Sequence, residues 1–195
     1  FNAALKRATD ESQPIKRRVG ALAKIEELVF EGCSGAVFDH ELHVFDDAVR
    51  TLAALPTELD KPAVLCLVAM GALHPEHFIQ SSFEGLNVGE RHTNASRRVT
   101  RAVEQLLVLG RLPTDIVDHA AAHALVLCRC ALEQLPAPDL SAELASLVAS
   151  IGAMQPNVVQ PHVLAISQAL LRWRRDPCLP HEADNVLFRA FRNMG

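Results

Sequence analysis

The stretch that decides the fold is Leu55-Pro56-Thr57-Glu58-Leu59-Asp60-Lys61-Pro62, running into Ala63-Val64-Leu65-Cys66-Leu67-Val68-Ala69-Met70-Gly71-Ala72-Leu73 and closing on His74-Pro75. A Leu-Pro junction opens it, and Thr57 or Asp60 offers a helix cap. Residues Ala63 to Leu73 then present apolar side chains in whichever direction a helix turns. This run is far too short for a bilayer span, so a helix apolar on all sides has to be covered by other helices. The reading is a helical stack with residues 63–73 at its centre.

Working outward, the flanking segments carry the stripes that such a stack needs. Before it, Pro14-Ile15 opens a helix to about Glu31 whose apolar stripe is Val19, Leu22, Ile25, Leu28 and Val29, with Gly32 as its stop. Asp39 caps a second helix with the stripe Leu42, Phe45, Val49, Leu52 and Leu55. After it come a short helix from Pro75 to Phe83, an irregular segment from Glu84 to Asn94, and a helix capped by Asn94 that carries Val99, Val103, Leu106 and Leu107. Leu112-Pro113-Thr114 starts the longest helix, to about Gln134. Asp139 caps the next, Pro161 opens another to Arg175, and Pro180 opens the last, to Asn193.

The fold class is therefore all-α. About nine helices form antiparallel hairpins, stacked as a short α-solenoid or an irregular bundle within a single domain, residues 1–195. Leu-Pro recurs at residues 55–56, 112–113, 135–136 and 179–180, and alternate helices in the second half start near residues 95, 139 and 181. That spacing of about forty residues is the period of HEAT- or armadillo-type helix pairs. Any packed helical protein places Pro at its junctions, so bundle and solenoid both stay open.

Composition agrees. Ala and Leu dominate, Tyr is absent and Trp occurs once, which favours helix over sheet. Apolar residues at 49% and charged residues at 22% exclude a disordered chain. A formal net charge of -4 excludes a global basic field for nucleic acid, although Arg outnumbers Lys 15 to 4. Five cysteines (Cys33, Cys66, Cys128, Cys130 and Cys178) lie mostly in apolar helical runs and read as reduced, buried thiols of a reducing compartment. The chain starts at Phe1 within a helix-like stretch, and is expected to be a fragment of, or processed from, a longer protein.

Candidate chemistry is sparse. Asp115, His119 and His123 follow one another at i, i+4, i+8, and His at i, i+4 is a zinc-helix spacing. The glutamate of a metalloprotease helix is missing from His119-Ala-Ala-Ala-His123, and boundary histidines explain the pattern as well. His74-Pro75-Glu76-His77 lacks a third ligand nearby, and Asp39-His40 with His43, Asp46 and Asp47 reads as a solvated helix face. Cys128-Arg-Cys130 points its thiols about 200° apart on a helix, so they cannot chelate one ion. Neither a nucleophile elbow nor a phosphate loop is present, so no enzyme and no cofactor is expected.

Two basic clusters are the candidate anion or RNA sites. Arg91, Arg97, Arg98 and Arg101, with His92 and Asn94, crowd a helix N-terminus, where cations oppose the helix dipole and an external anion would relieve them. Arg172, Arg174 and Arg175 beside Trp173, with Arg189 and Arg192 on the next helix, form the second. There, arginines in a last turn also suit the dipole on their own.

Helix pairs of about forty residues, Leu-Pro junctions and the run Phe45-Asp-Asp-Ala-Val-Arg-Thr-Leu-Ala-Ala-Leu55 resemble degenerate helical-repeat proteins. These include HEAT/armadillo-like repeats and the octotricopeptide- and heptatricopeptide-type repeat subunits of organelles. The resemblance spans residues 38 to 193 and implies a non-catalytic scaffold in a mitochondrial ribonucleoprotein such as the mitoribosome, located in the mitochondrial matrix. Its implied partners are protein subunits and RNA. A direct RNA binder using the Arg91 to Arg101 cluster is the alternative, and a metal-dependent helical enzyme a third. Such RNA binders are usually more basic than this chain.

Overall fold

The structure is a computed structural model. It describes residues 1–32, 42–84, 93–109, 112, 114–133, 138–174 and 192, without the side chains of residues 83, 84, 93, 114, 115, 132, 133, 138, 139, 141, 170, 173 and 174. All regular structure among the described residues is helical: α1 (Asn2–Thr9), α2 (Ile15–Phe30), α3 (Leu42–Ala53), α4 (Asp60–Leu73), α5 (Pro75–Glu84), α6 (Thr93–Val108), α7 (Thr114–Glu133), α8 (Pro138–Met154), α9 (Pro156–Val159) and α10 (Val163–Arg174). Short 3-10 turns at Thr57–Leu59 and Gln160–His162 lead into α4 and α10. The fold is all-α, as the sequence implies.

The central helix is where the apolar run puts it. Ala63, Val64, Cys66, Leu67, Val68, Ala69 and Met70 of α4 are all buried. The coverage comes from helices two apart in the chain: α4 packs on α2 and α6, and α6 packs in turn on α8. A second row runs through α5, α7 and α10, with α3 resting on α4 and α6. Next-but-one packing in two rows suits an α-solenoid and an irregular helical bundle alike. α4, α6 and α8 start at residues 60, 93 and 138, a mean spacing of roughly forty residues.

Ring contacts join the second row. Phe45 of α3 stands edge-on to His74 (centroids 5.4 Å apart) and to Phe78 of α5 (6.5 Å). The His77 ring of α5 lies 5.7 Å from Phe45, and its Nε2 is 2.9 Å from Asp46 Oδ1. Asp46, expected on a solvated face, thus crosses to the neighbouring helix.

Several sequence expectations shift in detail. The stripe of α2 runs Arg18, Ala21, Leu22, Ile25 and Val29, while Val19 is 38% exposed. Gly32 ends α2 at φ 71°, the left-handed conformation that glycine adopts without a Cβ clash. α6 starts at Thr93, one residue before Asn94, and α8 at Pro138, one before Asp139. The helix opened at Pro161 is instead α9, a 3-10 turn and α10 in sequence. Asp39, the loop core at 85–92 and the helix expected from Pro180 lie outside the described residues, Arg192 excepted. No described helix is long and apolar enough to cross a membrane.

Candidate functional site

A cluster of ion pairs lies where α6 meets α4 and α8, and it contains three of the four arginines of the first basic cluster. Arg98 lies on the face of α6 that carries Val99, Ala102 and Leu106 into the core, so its side chain enters the interior; it is 1% exposed. Its Nε donates to Asp60 Oδ1 at 2.6 Å. Nη1 donates to the Ala53 carbonyl at 2.7 Å and to the Leu55 carbonyl, and Nη2 to the Pro56 carbonyl at 3.1 Å. These are the carbonyls of the α3 C-terminus and the turn after it, which have no partner inside a helix. One guanidinium therefore ends α3 and ties it to the start of α4.

Arg101, one turn further along α6, bridges two acids. Nη1 donates to Asp60 Oδ2 at 2.7 Å, and Nε donates to Glu143 Oε1 of α8 at 2.8 Å. Glu143 foremost, with Asp60, holds Arg101 even more firmly in its charged form than usual. Arg97 Nη2 reaches the same Glu143 oxygen at 3.3 Å. Asp60 sits in the first turn of α4, where a carboxylate also suits the helix dipole. The seam continues along α6 and α8: Glu104 Oε1 accepts from Ser146 Oγ at 3.0 Å and Ser150 Oγ at 2.5 Å.

The expectation that this cluster faces an external anion is thus corrected for Arg98, whose donors are engaged inside the protein. Arg97 and Arg101 are partly exposed and, with Thr57, Asp60 and Asn94, line a small recess of about 240 Å³. There the two internal carboxylates already oppose the positive charge that sequence inspection assigned to a ligand. Arg91 lies outside the described residues.

The second cluster is only partly visible. Arg172 and Arg192 are exposed, Arg174 lies on α10 without a described side chain, and Arg175 and Arg189 fall outside the described residues. For the metal candidates, His119 is 71% exposed and stands 3.8 Å from Glu76 of α5, while the Asp115 side chain is not described. Among the described residues no group of three or more His, Cys, Asp or Glu is arranged to hold a metal ion. Cys66 donates its thiol to the Leu22 carbonyl and Cys128 to the Leu144 carbonyl. Burial raises both thiols, Cys66 to about 12. Cys130 is exposed, which corrects the expectation of a buried thiol there: two residues on from buried Cys128, it falls on a different face of α7.

Sequence inspection found the arginines, read Asp60 only as a helix cap, and missed Glu143, Glu104, Ser146 and Ser150. A signal for them existed. The partners lie 38 and 41 residues before Arg98 and Arg101, and 46 and 42 residues after Arg97 and Arg101. Each is one helix pair away, so acids about one period from an unfavourably placed arginine were the residues to look for.

The chain matches no protein-family model, no curated protein and no solved structure.

Proposed function

We propose that the chain is a non-catalytic helical-repeat scaffold subunit that holds protein partners together in a large assembly. Following the sequence resemblance, we take that assembly to be a mitochondrial ribonucleoprotein. The observation that supports this reading is the polar seam: Arg97, Arg98, Arg101, Asp60 and Glu143 join one helix pair to the next. Helices tied together in this way offer their outer faces to partners, as the faces of solenoids do. The apolar side chains on its surface agree, among them Leu164 and Leu171, seven residues apart on α10.

Direct RNA binding through Arg97 and Arg101 is the second reading, favoured only by their partial exposure at the recess beside Asn94. Sedimentation of the native protein, with and without ribonuclease, separates the readings. A scaffold subunit travels with a particle far larger than 21.3 kDa and remains bound to protein partners after RNA is digested. Release as a lone chain by ribonuclease would favour direct RNA binding, and sedimentation as a lone chain throughout would overturn both.

A further inference from the structure

Charge along this chain is unevenly distributed. The first 24 residues carry Lys6, Arg7, Lys16, Arg17, Arg18 and Lys24 against Asp10 and Glu11, and Glu26, Glu27 and Glu31 follow at the far end of α2. Arg18 turns inward, where its Nε donates to the Ala8 carbonyl at 2.8 Å and holds α1 against α2. Arg7, Arg17 and Lys24 instead line an open groove of about 440 Å³ between the two helices.

Small residues, Ala4, Gly20 and Ala21, also line the groove, and none of the described residues that line it is acidic or aromatic. Arg17, Gly20, Ala21 and Lys24 recur at i, i+3, i+4 and i+7, so they share one face of α2 over about 10 Å. Arg7 faces them from α1. A Cβ placed on Gly20 meets nothing within 4 Å, so another backbone can approach closely there. Lys24 pairs with Glu27 at 2.8 Å and Arg17 Nη1 donates to Gln13 Oε1 at 3.4 Å, both exposed contacts of the kind that contribute little to stability.

We propose that this groove docks an acidic amphipathic helix of a protein partner. The partner's carboxylates pair with Arg7, Arg17 and Lys24, and its small-residue face rests over Ala4, Gly20 and Ala21. Charge complementarity selects an acidic occupant, and the small, aromatic-free lining selects a helix over single-stranded RNA, which is bound on aromatic platforms. The inference rests on the scaffold reading and names the chemistry of one partner.

The test uses the full chain and three fluorescent probes: a helical peptide with Glu at every fourth position on an alanine background, its Gln counterpart, and oligouridylate. The Glu peptide is expected to bind at low salt and the Gln peptide to bind at least about tenfold more weakly. Gly20→Leu fills the groove from an exposed helical position. It should weaken the Glu peptide about tenfold or more while Tm holds or rises, since Leu is the better helix former. Arg7→Gln with Arg17→Gln should weaken it comparably. Undetectable binding of the Glu peptide at low salt, or affinity unchanged by Gly20→Leu, overturns the proposal. Oligouridylate binding that is lost on Gly20→Leu while the Glu peptide fails to bind overturns it in favour of nucleic acid. A chain that binds the peptide at this groove yet sediments alone would refute the assembly and leave the groove standing.

Discussion

At Arg98 a single guanidinium, enclosed by protein, satisfies one oxygen of Asp60 and three backbone carbonyls that follow α3. Its planar fork sends donors to all four at once, which the compact ammonium of lysine cannot do. Removing it leaves Asp60 with one arginine in place of two and strands the carbonyls in the interior. Arg98→Met is therefore expected to cost about 1–3 kcal/mol in urea unfolding, the range for leaving buried polar groups unsatisfied, since Asp60 is partly exposed and keeps Arg101. Arg98→Lys should recover only part of that. The arginine was legible in the sequence, and its inward direction was not. Helix phase places residue 98 near the apolar stripe of Val99, Val103 and Leu106, but a charged side chain there reads as surface until its acid, 38 residues away, is brought alongside.

Among the elements, α4 shows how close approach is written into one residue. A Cβ on Gly71 would lie 2.7 Å from Phe78 Cδ1 of α5 and 3.1 Å from Leu106 Cδ2 of α6. Phe78 is fully buried, so its ring has little room to withdraw. Overpacking of this kind costs about 1–3 kcal/mol, while replacing a helical glycine by alanine returns about 1. Gly71→Ala is thus expected to be neutral to destabilising, by up to about 2 kcal/mol in chemical denaturation, despite the gain in helix propensity. A clear stabilisation would show that α5 is not held against α4 as described. α2 carries the converse lesson. Its buried stripe includes Arg18 where the apolar pattern suggests Val19, because Arg18 supplies a donor to the last turn of α1. Periodicity in hydrophobicity cannot register a buried position held by a hydrogen bond.

Over the whole molecule, stability should follow position in the stack. α4 and α6 are each packed between two neighbours of their own row, whereas α1 and α10 lie toward the ends of the described helices. Nearest-neighbour coupling in such a stack implies that its ends open more easily than its middle. Native-state hydrogen exchange is expected to show the slowest amides in α4 and α6 and faster exchange in α1 and α10. Uniform protection from α1 to α10 would mean one closed cooperative core instead. Loss of the polar seam by Glu143→Gln should raise exchange in α8 more than in α2, since Glu143 ties α8 to α6 through Arg97 and Arg101.

The amino-acid sequence by itself determined the all-α class, the central position of residues 63–73 and most helix boundaries to within a residue or two. These follow from local causes: apolar periodicity, proline at junctions, and a glycine at the end of α2. Only the tertiary structure decided which helices meet and where the charges go. It placed Arg98 inside, shared Asp60 between two arginines, seated Glu143 opposite Arg97 and Arg101, and opened a basic groove between α1 and α2. The physical reason is distance along the chain. Helix propensity acts over a few residues, whereas these pairings join groups about one helix pair apart, and a guanidinium's role is set by the carboxylate that packing delivers to it.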